Sequence, residues 1–474
     1  MTKRAAQVLV FVTSGAVLVL EILAGRLLAP FVGVSLETFT GIIGTMLAGI
    51  AVGAALGGRL ADRRDPAAMI GPTLIAGGVL SWLSIPIVAW IGPGIGQDIP
   101  AIVTLALFGF FAPAMVLSAI GPMVAKLRLQ SLDETGEVVG GLSAAGTAGA
   151  LFGTFFTGFV LVAAAPTRPI ILALGAGLAL WGLVQTVRQA GEWPTVGVGI
   201  LAAGALGLAA TAPDQCQRES AYACVSIITD AEDESLRYLI MDTLRHGAVD
   251  LDDPTHLELG YVQVIGAVID TMPAGPIDAL HVGGGAFSLP TYIAASRPGS
   301  TNLVLEIDPL LIDVAEEQLG LVTGPDLVIR TGDARLALAD LPDDAYDVVV
   351  GDAFGGRAVP WHLTTTEFIA ELARVLRPGG VYVMNTIDGN ENRFVEAELA
   401  TLAEHFDHRA VVVPEDWPRP GPANQLLLAS GRPVPSIPLD PADWYLIDDV
   451  VEFTGNGIIL RDDYAPVEQL GTNF

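Results

Sequence analysis

The stretch Ile277-Asp-Ala-Leu-His-Val282, followed by Gly283-Gly-Gly285, by Ala286 to Ala295 and by Asn302-Leu-Val-Leu-Glu306-Ile-Asp308, decides the fold of the C-terminal half of this 474-residue chain. It reads as a strand, a glycine turn, a helix and a second strand ending in an acid, the opening of a doubly wound parallel sheet. Glycines let the backbone turn tightly against a ligand, and an acid at the end of the second strand can accept hydrogen bonds from both hydroxyls of a ribose. The spacing from Gly283 to Glu306 is 23 residues, near the roughly 20 expected of such a pair. This pattern serves dinucleotides and adenosyl cofactors equally.

The strands that follow narrow the choice. Leu327-Val-Ile-Arg-Thr-Gly-Asp333-Ala334 places an acid just past a third strand, where a nucleoside's exocyclic amine can be read, and Tyr346-Asp-Val-Val-Val-Gly-Asp352 places another past a fourth. Ligands of open α/β sheets bind beyond the carboxyl ends of the strands, so three acids converge on one cleft. Phe368 to Leu376, the turn Arg377-Pro-Gly-Gly380 and Val381-Tyr-Val-Met384 complete a helix, a tight turn and a fifth strand.

Upstream the chain is a different object. Residues 1–212 carry 10 Lys/Arg and 9 Asp/Glu, whereas residues 213–474 carry 14 and 43, so the two parts have net charges of +1 and −29 within the total of −28. With 51% hydrophobic and 16% charged residues overall, the chain is too apolar for a single water-soluble protein and is neither disordered nor collagen-like. Seven apolar runs, near 7–29, 38–60, 68–91, 100–120, 138–163, 169–187 and 194–212, approach the roughly 20 residues needed to cross a bilayer as helices. The first is too long for a signal-peptide core and precedes six more, so it is expected to be kept. Small residues such as Gly49, Gly53, Gly141, Gly146 and Gly149 fit a closely packed bundle. Glu21, inside the first run, is either a functional intramembrane carboxylate or a partner of Arg26.

Lys3, Arg4, Arg59, Arg63, Arg64, Lys126, Arg128 and Arg188 fall on one side of a seven-span bundle, with Arg26 and Arg168 as exceptions. The positive-inside rule then places the second half outside the cytoplasm, and a change of one span reverses this. Cys216 and Cys224 follow the last run. A disulfide between them suits an oxidising compartment, and two unrelated buried thiols are the alternative; no metal site is expected from two cysteines without nearby partners.

The glycine turn, Glu306-Ile-Asp308, Gly332-Asp333-Ala334, Tyr346-Asp347 to Asp352, Glu367-Phe368 and Arg377-Pro-Gly-Gly380 together resemble the spermidine synthase family of polyamine aminopropyltransferases, over roughly residues 217–430. The whole chain is similar to bacterial proteins in which a polytopic membrane segment precedes such a domain. The resemblance implies a Rossmann-like, class I methyltransferase-type α/β fold with a small N-terminal β-structure. The expected organisation is a multi-pass α-helical membrane domain over 1–212, the β-rich part over 213–272 and the nucleoside-binding domain over 273–474.

By the same resemblance, decarboxylated S-adenosylmethionine is the co-substrate, with S-adenosylmethionine as the alternative, and the product is an aminopropylated amine such as spermidine made from putrescine. Asp352 matches the catalytic acid. Gly283, Gly284, Gly285, Glu306, Asp308, Asp333 and Ala334 fall at cofactor positions, and Tyr261, Gln263 and His256 on the substrate side. The chain departs from the family pattern at three places: Ala286-Phe287-Ser288 follows the glycines in place of Asp-Gly-Gly, Gly355 stands where a second Asp is usual, and Gln263 where a Glu is. Several carboxylates that would cradle a diamine are therefore absent.

Asp250-Leu-Asp252-Asp253-Pro-Thr-His256-Leu-Glu258 can supply a cation site or a base, or simply the capped start of a helix, with Asp252 or Thr255 as cap and Glu258 in its first turn. His362 lines the cleft or decorates a lid. The acidity of the second half, which contains no lysine, draws polycations and argues against nucleic acid as a partner. The expected partners are a lipid bilayer and a small polycationic amine, with a homodimer compatible. Two other functions fit the same residues: a transporter whose second half senses a nucleoside or polyamine without turnover, and an S-adenosylmethionine-dependent methyltransferase in which Arg245, Arg335 or Arg357 meets the cofactor's carboxylate. Adenosyl cofactors are made in the cytoplasm, which conflicts with the outside placement.

Overall fold

Apolar runs separated by proline and short polar segments fold as long helices. The computed structural model describes residues 1–129, 135–190, 196–389, 391–417, 421–440, 443–450 and 457–471. They form two compact units, Met1–Val225 and Ser226–Phe474.

In the first unit six helices are long and apolar enough to cross a membrane: Lys3–Val32, Leu36–Arg63, Pro66–Gly94, Ile99–Arg128, Thr135–Ala164 and Thr167–Gln189. Thr2, Ser35, Asp65 and Asp98 cap four of them through their side chains. The seventh run is represented by a helix of 16 residues, Val196–Thr211, shorter than a full span; residues 191–195 before it lie outside the described ones. Glycines set the helix contacts. A Cβ on Gly149 would lie 2.0 Å from the Phe11 carbonyl oxygen, and one on Gly53 would lie 2.0 Å from that of Met115, so neither seam admits any side chain. Large apolar side chains, among them Leu47, Leu56, Phe155, Phe159 and Leu201, face outward.

Arg26 does not turn to Glu21. Its Nε donates to Glu219 Oε1 at 2.9 Å, Nη1 to the Ala221 carbonyl at 2.7 Å and Nη2 to the Ser220 carbonyl. Thr167 donates to the same carboxylate through its backbone N–H at 2.9 Å and its hydroxyl at 2.5 Å. Arg168 donates to the Ala212 and Pro213 carbonyls and faces Asp214. Both exceptions to the basic-residue pattern are thus held by the segment that follows the helices. Within that segment Cys216 and Cys224 form a disulfide.

The small β-structure comprises β1 (Arg218–Glu219), β2 (Cys224–Thr229), β3 (Leu236–Met241) and β4 (Leu244–Asp250), in sequence order. β3 and β4 form an antiparallel hairpin whose turn holds Asp242 at φ 51°. The large sheet contains β5 (Asp278–Val282), β6 (Thr301–Glu306), β7 (Leu327–Thr331), β8 (Tyr346–Gly351), β9 (Leu376–Asp388), β10 (His408–Pro414), β11 (Ala423–Ser430) and β12 (Trp444–Ile447), in the order β7-β6-β5-β8-β9-β11-β10-β12. β5 to β9 are parallel, and β10 to β12 are added antiparallel. One apolar layer packs on Val262, Ile265 and Ile269 of helix Gly260–Asp270, and the other on Phe368 and Leu372 of helix Thr366–Val375.

Two local expectations are corrected. Arg377-Pro-Gly-Gly380 is not a turn between helix and strand: β9 begins at Leu376, and these four residues bulge between the pairs Tyr346↔Leu376 and Val348↔Val381. The helix expected to be capped by Asp252 or Thr255 starts only at Gly260, with Leu259 at its cap position and no side-chain cap. Asp250 and Asp253 instead accept local backbone N–H groups from Asp252, Asp253 and Thr255, closing two turns before the helix.

Candidate functional site

The strand order reverses between β5 and β8, which opens a crevice at their carboxyl ends. Gly283 leaves β5 at φ 97°, and a Cβ there would lie 2.5 Å from the Asp352 carbonyl oxygen, so the two strand ends meet only because residue 283 has no side chain. Gly285 also has positive φ, at 51°, and Phe287 at 59° leads into helix Ser288–Ser296.

Glu306 ends β6 and is 5% exposed. One carboxylate oxygen accepts from Gly284 N–H at 2.8 Å and the other from Asp308 N–H at 2.8 Å. Burial raises its pKa against the lowering by these N–H groups. Each oxygen has a further lone pair, so the carboxylate can still accept from two hydroxyls. A Cβ on Gly284 would lie 2.7 Å from the Phe287 ring and 3.2 Å from Glu306 Oε2, so the turn closes on the ring and the acid only because residue 284 has no side chain. Asp308, 2% exposed, caps helix Pro309–Gln318 by accepting from Leu310 N–H at 3.0 Å. Asp333 caps helix Ala334–Leu338 through Oδ1, while its Oδ2 faces His362 Nε2 at 3.3 Å.

Asp352 follows the end of β8 and carries two side-chain donors on its carboxylate. Its Oδ2 accepts from the Tyr261 hydroxyl at 3.2 Å, and its Oδ1 from Asn385 Nδ2 at 2.8 Å. Asn385 is held in turn by Asn424, whose Nδ2 donates to Asn385 Oδ1 at 3.0 Å. Burial pushes the Asp352 carboxyl up to about 6, although both donors pull it down. The same enclosure, with the Asp352 charge beside it, holds the Tyr261 phenol well above its usual range and therefore protonated. Ionised at neutral pH yet close to its own pKa, Asp352 is suited to taking a proton.

Gly283, Gly284, Gly285, Tyr261 and Asp352 therefore line one cavity, with Glu306 directly behind the turn. Gln263 and His256 are not among its lining residues. Gln263 Nε2 donates to the Leu257 carbonyl at 2.7 Å, and exposed His256 pairs with Glu258 at 3.2 Å. Arg335 makes a two-pronged ion pair with Asp462, and Arg245 lies over the Tyr238 ring at 4.4 Å. Asn385, His246 and His281 were not foreseen. Asn385 has a sequence signal, its place on β9 beside the β8 end, whereas His281 sits inside an apolar strand and His246 arrives on a distant hairpin. No group of three or more His, Cys, Asp or Glu suited to a metal ion occurs among the described residues.

The chain is similar to several known proteins. A methyltransferase domain family matches residues 280–384. The polyamine aminopropyltransferase of Vibrio vulnificus is 34% identical over 133 residues, 28% of this chain and 44% of the relative. A probable polyamine aminopropyl transferase of Bifidobacterium longum is 27% identical over 241 residues, 44% of this chain and 53% of its own length. The chain thus spans about half the length of these curated relatives. A probable spermidine synthase of Corynebacterium glutamicum is similar in structure, with 26% identity and a TM-score of 0.48, covering 52% of this chain and 95% of that one. The resemblance to the spermidine synthase family, on a Rossmann-like methyltransferase-type sheet, is thus carried by sequence relatives as well as by motifs.

Proposed function

We propose that the C-terminal unit is an aminopropyltransferase of the spermidine synthase type, attached to a helical unit that lies in a membrane. The observation that carries the reading is Asp352, held between Tyr261 and Asn385 beside the glycine turn at the strand-order reversal. Glu306 would hold the ribose of decarboxylated S-adenosylmethionine, Asp333 and Ala334 the adenine, and Gly283 to Gly285 the backbone side. That co-substrate supplies a propyl carbon activated by a neighbouring sulfonium.

The protein's part is positioning and proton transfer. The neutral amine lies against Asp352, its nitrogen forms the new bond to carbon, the carbon–sulfur pair leaves with sulfur, and the nitrogen's proton passes to the Asp352 carboxylate. Tyr261, kept protonated, fixes one carboxylate oxygen while Asn385 fixes the other. The outward apolar side chains of the six long helices support a lipid partner. Six spans and seven spans place the C-terminal unit on opposite sides; the Cys216–Cys224 disulfide favours an oxidising side, whereas adenosyl compounds are made in the cytoplasm.

A methyltransferase is the second reading, favoured by the match over residues 280–384. Against it, Arg335 and Arg245, two of the arginines considered for a cofactor carboxylate, are engaged elsewhere. Incubation of the full chain in detergent with decarboxylated S-adenosylmethionine and a mixture of amines, read by mass spectrometry, tests the choice. Methylthioadenosine together with an aminopropylated amine supports the proposal; a methylated product formed only from the intact cofactor overturns it.

A further inference from the structure

The strand register brings a second amide into line behind the one that touches Asp352. β8 and β9 run parallel with Gly351 opposite Met384, so Asp352, one residue on, meets Asn385. β11 pairs antiparallel with β9, with Leu426 opposite Asn385 and Asn424 opposite Ile387. Side chains alternate between the faces of a strand, so Asn424 shares a face with Asn385 and lies on its diagonal, within reach of its amide. Two amides in series therefore end on the carboxylate. Asn424 Nδ2 donates to Asn385 Oδ1 at 3.0 Å, and Asn385 Nδ2 donates to Asp352 Oδ1 at 2.8 Å.

An asparagine amide has one donating and one accepting end, whereas an ionised carboxylate only accepts. With its N–H end on Asp352, buried Asn385 stabilises the ionised form. Turned over, it would present its oxygen instead and favour the protonated acid. Asn424, by donating to that oxygen, holds it away from Asp352. The other titratable groups lining the same cavity are Tyr261, His246 and His281. Tyr261 stays protonated, and burial pushes both imidazoles down to about 4. Behind the turn, Glu306 is tied to the N–H groups of Gly284 and Asp308. Asp388, next to Ile387 on β9, accepts from the N–H groups of Gly389 and Val395.

We propose that Asn424 is a positioning residue for the proton-transfer step: by donating to Asn385 it holds the Asn385 N–H end on Asp352, so that the carboxylate stays ionised and ready to take a proton. The inference rests on Asp352 being the proton acceptor, as proposed above. The test is an infrared difference titration of the full chain in detergent, following the protonated-carboxyl band that Asp352→Asn lacks. Asn424→Leu keeps the side chain's size and removes the donor. The midpoint of the band is expected to rise by about 0.5 pH unit or more in this variant, and to stay in place when the same change is made on Asn385→Ala. Asn424→Asp keeps the shape and replaces the donor by an acceptor. It should raise the midpoint further, and at least half of its shift should vanish on Asn385→Ala. An unmoved midpoint in both variants, shifts undiminished without Asn385, or no titrating band that depends on Asp352 overturns the inference. Transfer from decarboxylated S-adenosylmethionine, measured on the same preparations, tests the transferase separately. The acid limb of kcat should move with the midpoint; a moved midpoint without transfer to any amine removes the transferase reading and leaves the amide relay standing.

Discussion

The helical unit and the α/β unit are organised by opposite means. In the first, contacts are set by side chains that are missing: Gly53 and Gly149 bring backbones so close that a single methyl group would collide with a carbonyl. In the second, a few polar groups at strand ends carry the organisation, with Glu306 tied to two backbone N–H groups and Asp352 to a phenol and an amide. Close backbone packing dominates the one, whereas strand-end polar groups organise the other. A change in the first should therefore alter assembly and leave ligand preference untouched, and a change in the second should do the reverse.

The largest expected effect is at the proposed proton acceptor. Asp352→Asn should lower transfer by about 10²–10⁴-fold, the usual contribution of a positioned acid or base, with methylthioadenosine affinity retained in a calorimetric titration. Turnover within a few-fold of the unsubstituted protein would remove Asp352 from its role. Next is Glu306→Ala, expected to weaken nucleoside binding by about 1–3 kcal/mol, the cost of losing hydrogen bonds to a charged group; equal affinity would sink the ribose assignment. In the helical unit, Gly149→Leu should destabilise the fold by about 1–3 kcal/mol or more through overpacking, seen as a lower midpoint in detergent. The nucleoside affinity of the surviving folded fraction should be unchanged.

The smallest effects concern pH. Because the Asp352 carboxyl lies near 6, kcat should fall about tenfold per pH unit below that value and be insensitive to this group above it. The sign for stability is opposite to that of a salt-bridged acid. The folded state holds the proton more tightly than the unfolded one, so the ionised group costs stability above about pH 6, and the cost is relieved as pH falls through 6 toward 4. Asp352→Asn should therefore raise the melting midpoint slightly at neutral pH while abolishing turnover, and a lower midpoint would contradict that account.

Much of this architecture was legible in the chain itself. The strands ending at Glu306, near Asp333 and at Asp352 were readable because glycine and acid punctuate apolar runs, and the close helix contacts because small residues recur in the long apolar helices. Long-range geometry was not readable. Arg26 meets Glu219, 193 residues away, rather than its neighbour Glu21, since a side chain's partner depends on packing and not on sequence distance. His256 lies beside an acid in sequence and pairs with it on the surface, whereas His246 reaches the cavity only because the β3–β4 hairpin folds over the glycine turn. Arg377-Pro-Gly-Gly380 has the composition of a turn, yet β9 absorbs it as a bulge by shifting register against β8.

The cleft at the strand ends is proposed to take an adenosyl donor without a carboxylate. The most direct test is a calorimetric titration of the full chain in detergent with decarboxylated S-adenosylmethionine, S-adenosylmethionine and methylthioadenosine. The decarboxylated donor and methylthioadenosine are expected to bind, and the intact cofactor to bind at least tenfold more weakly. Preference for the intact cofactor, or no binding of any of the three, would contradict it.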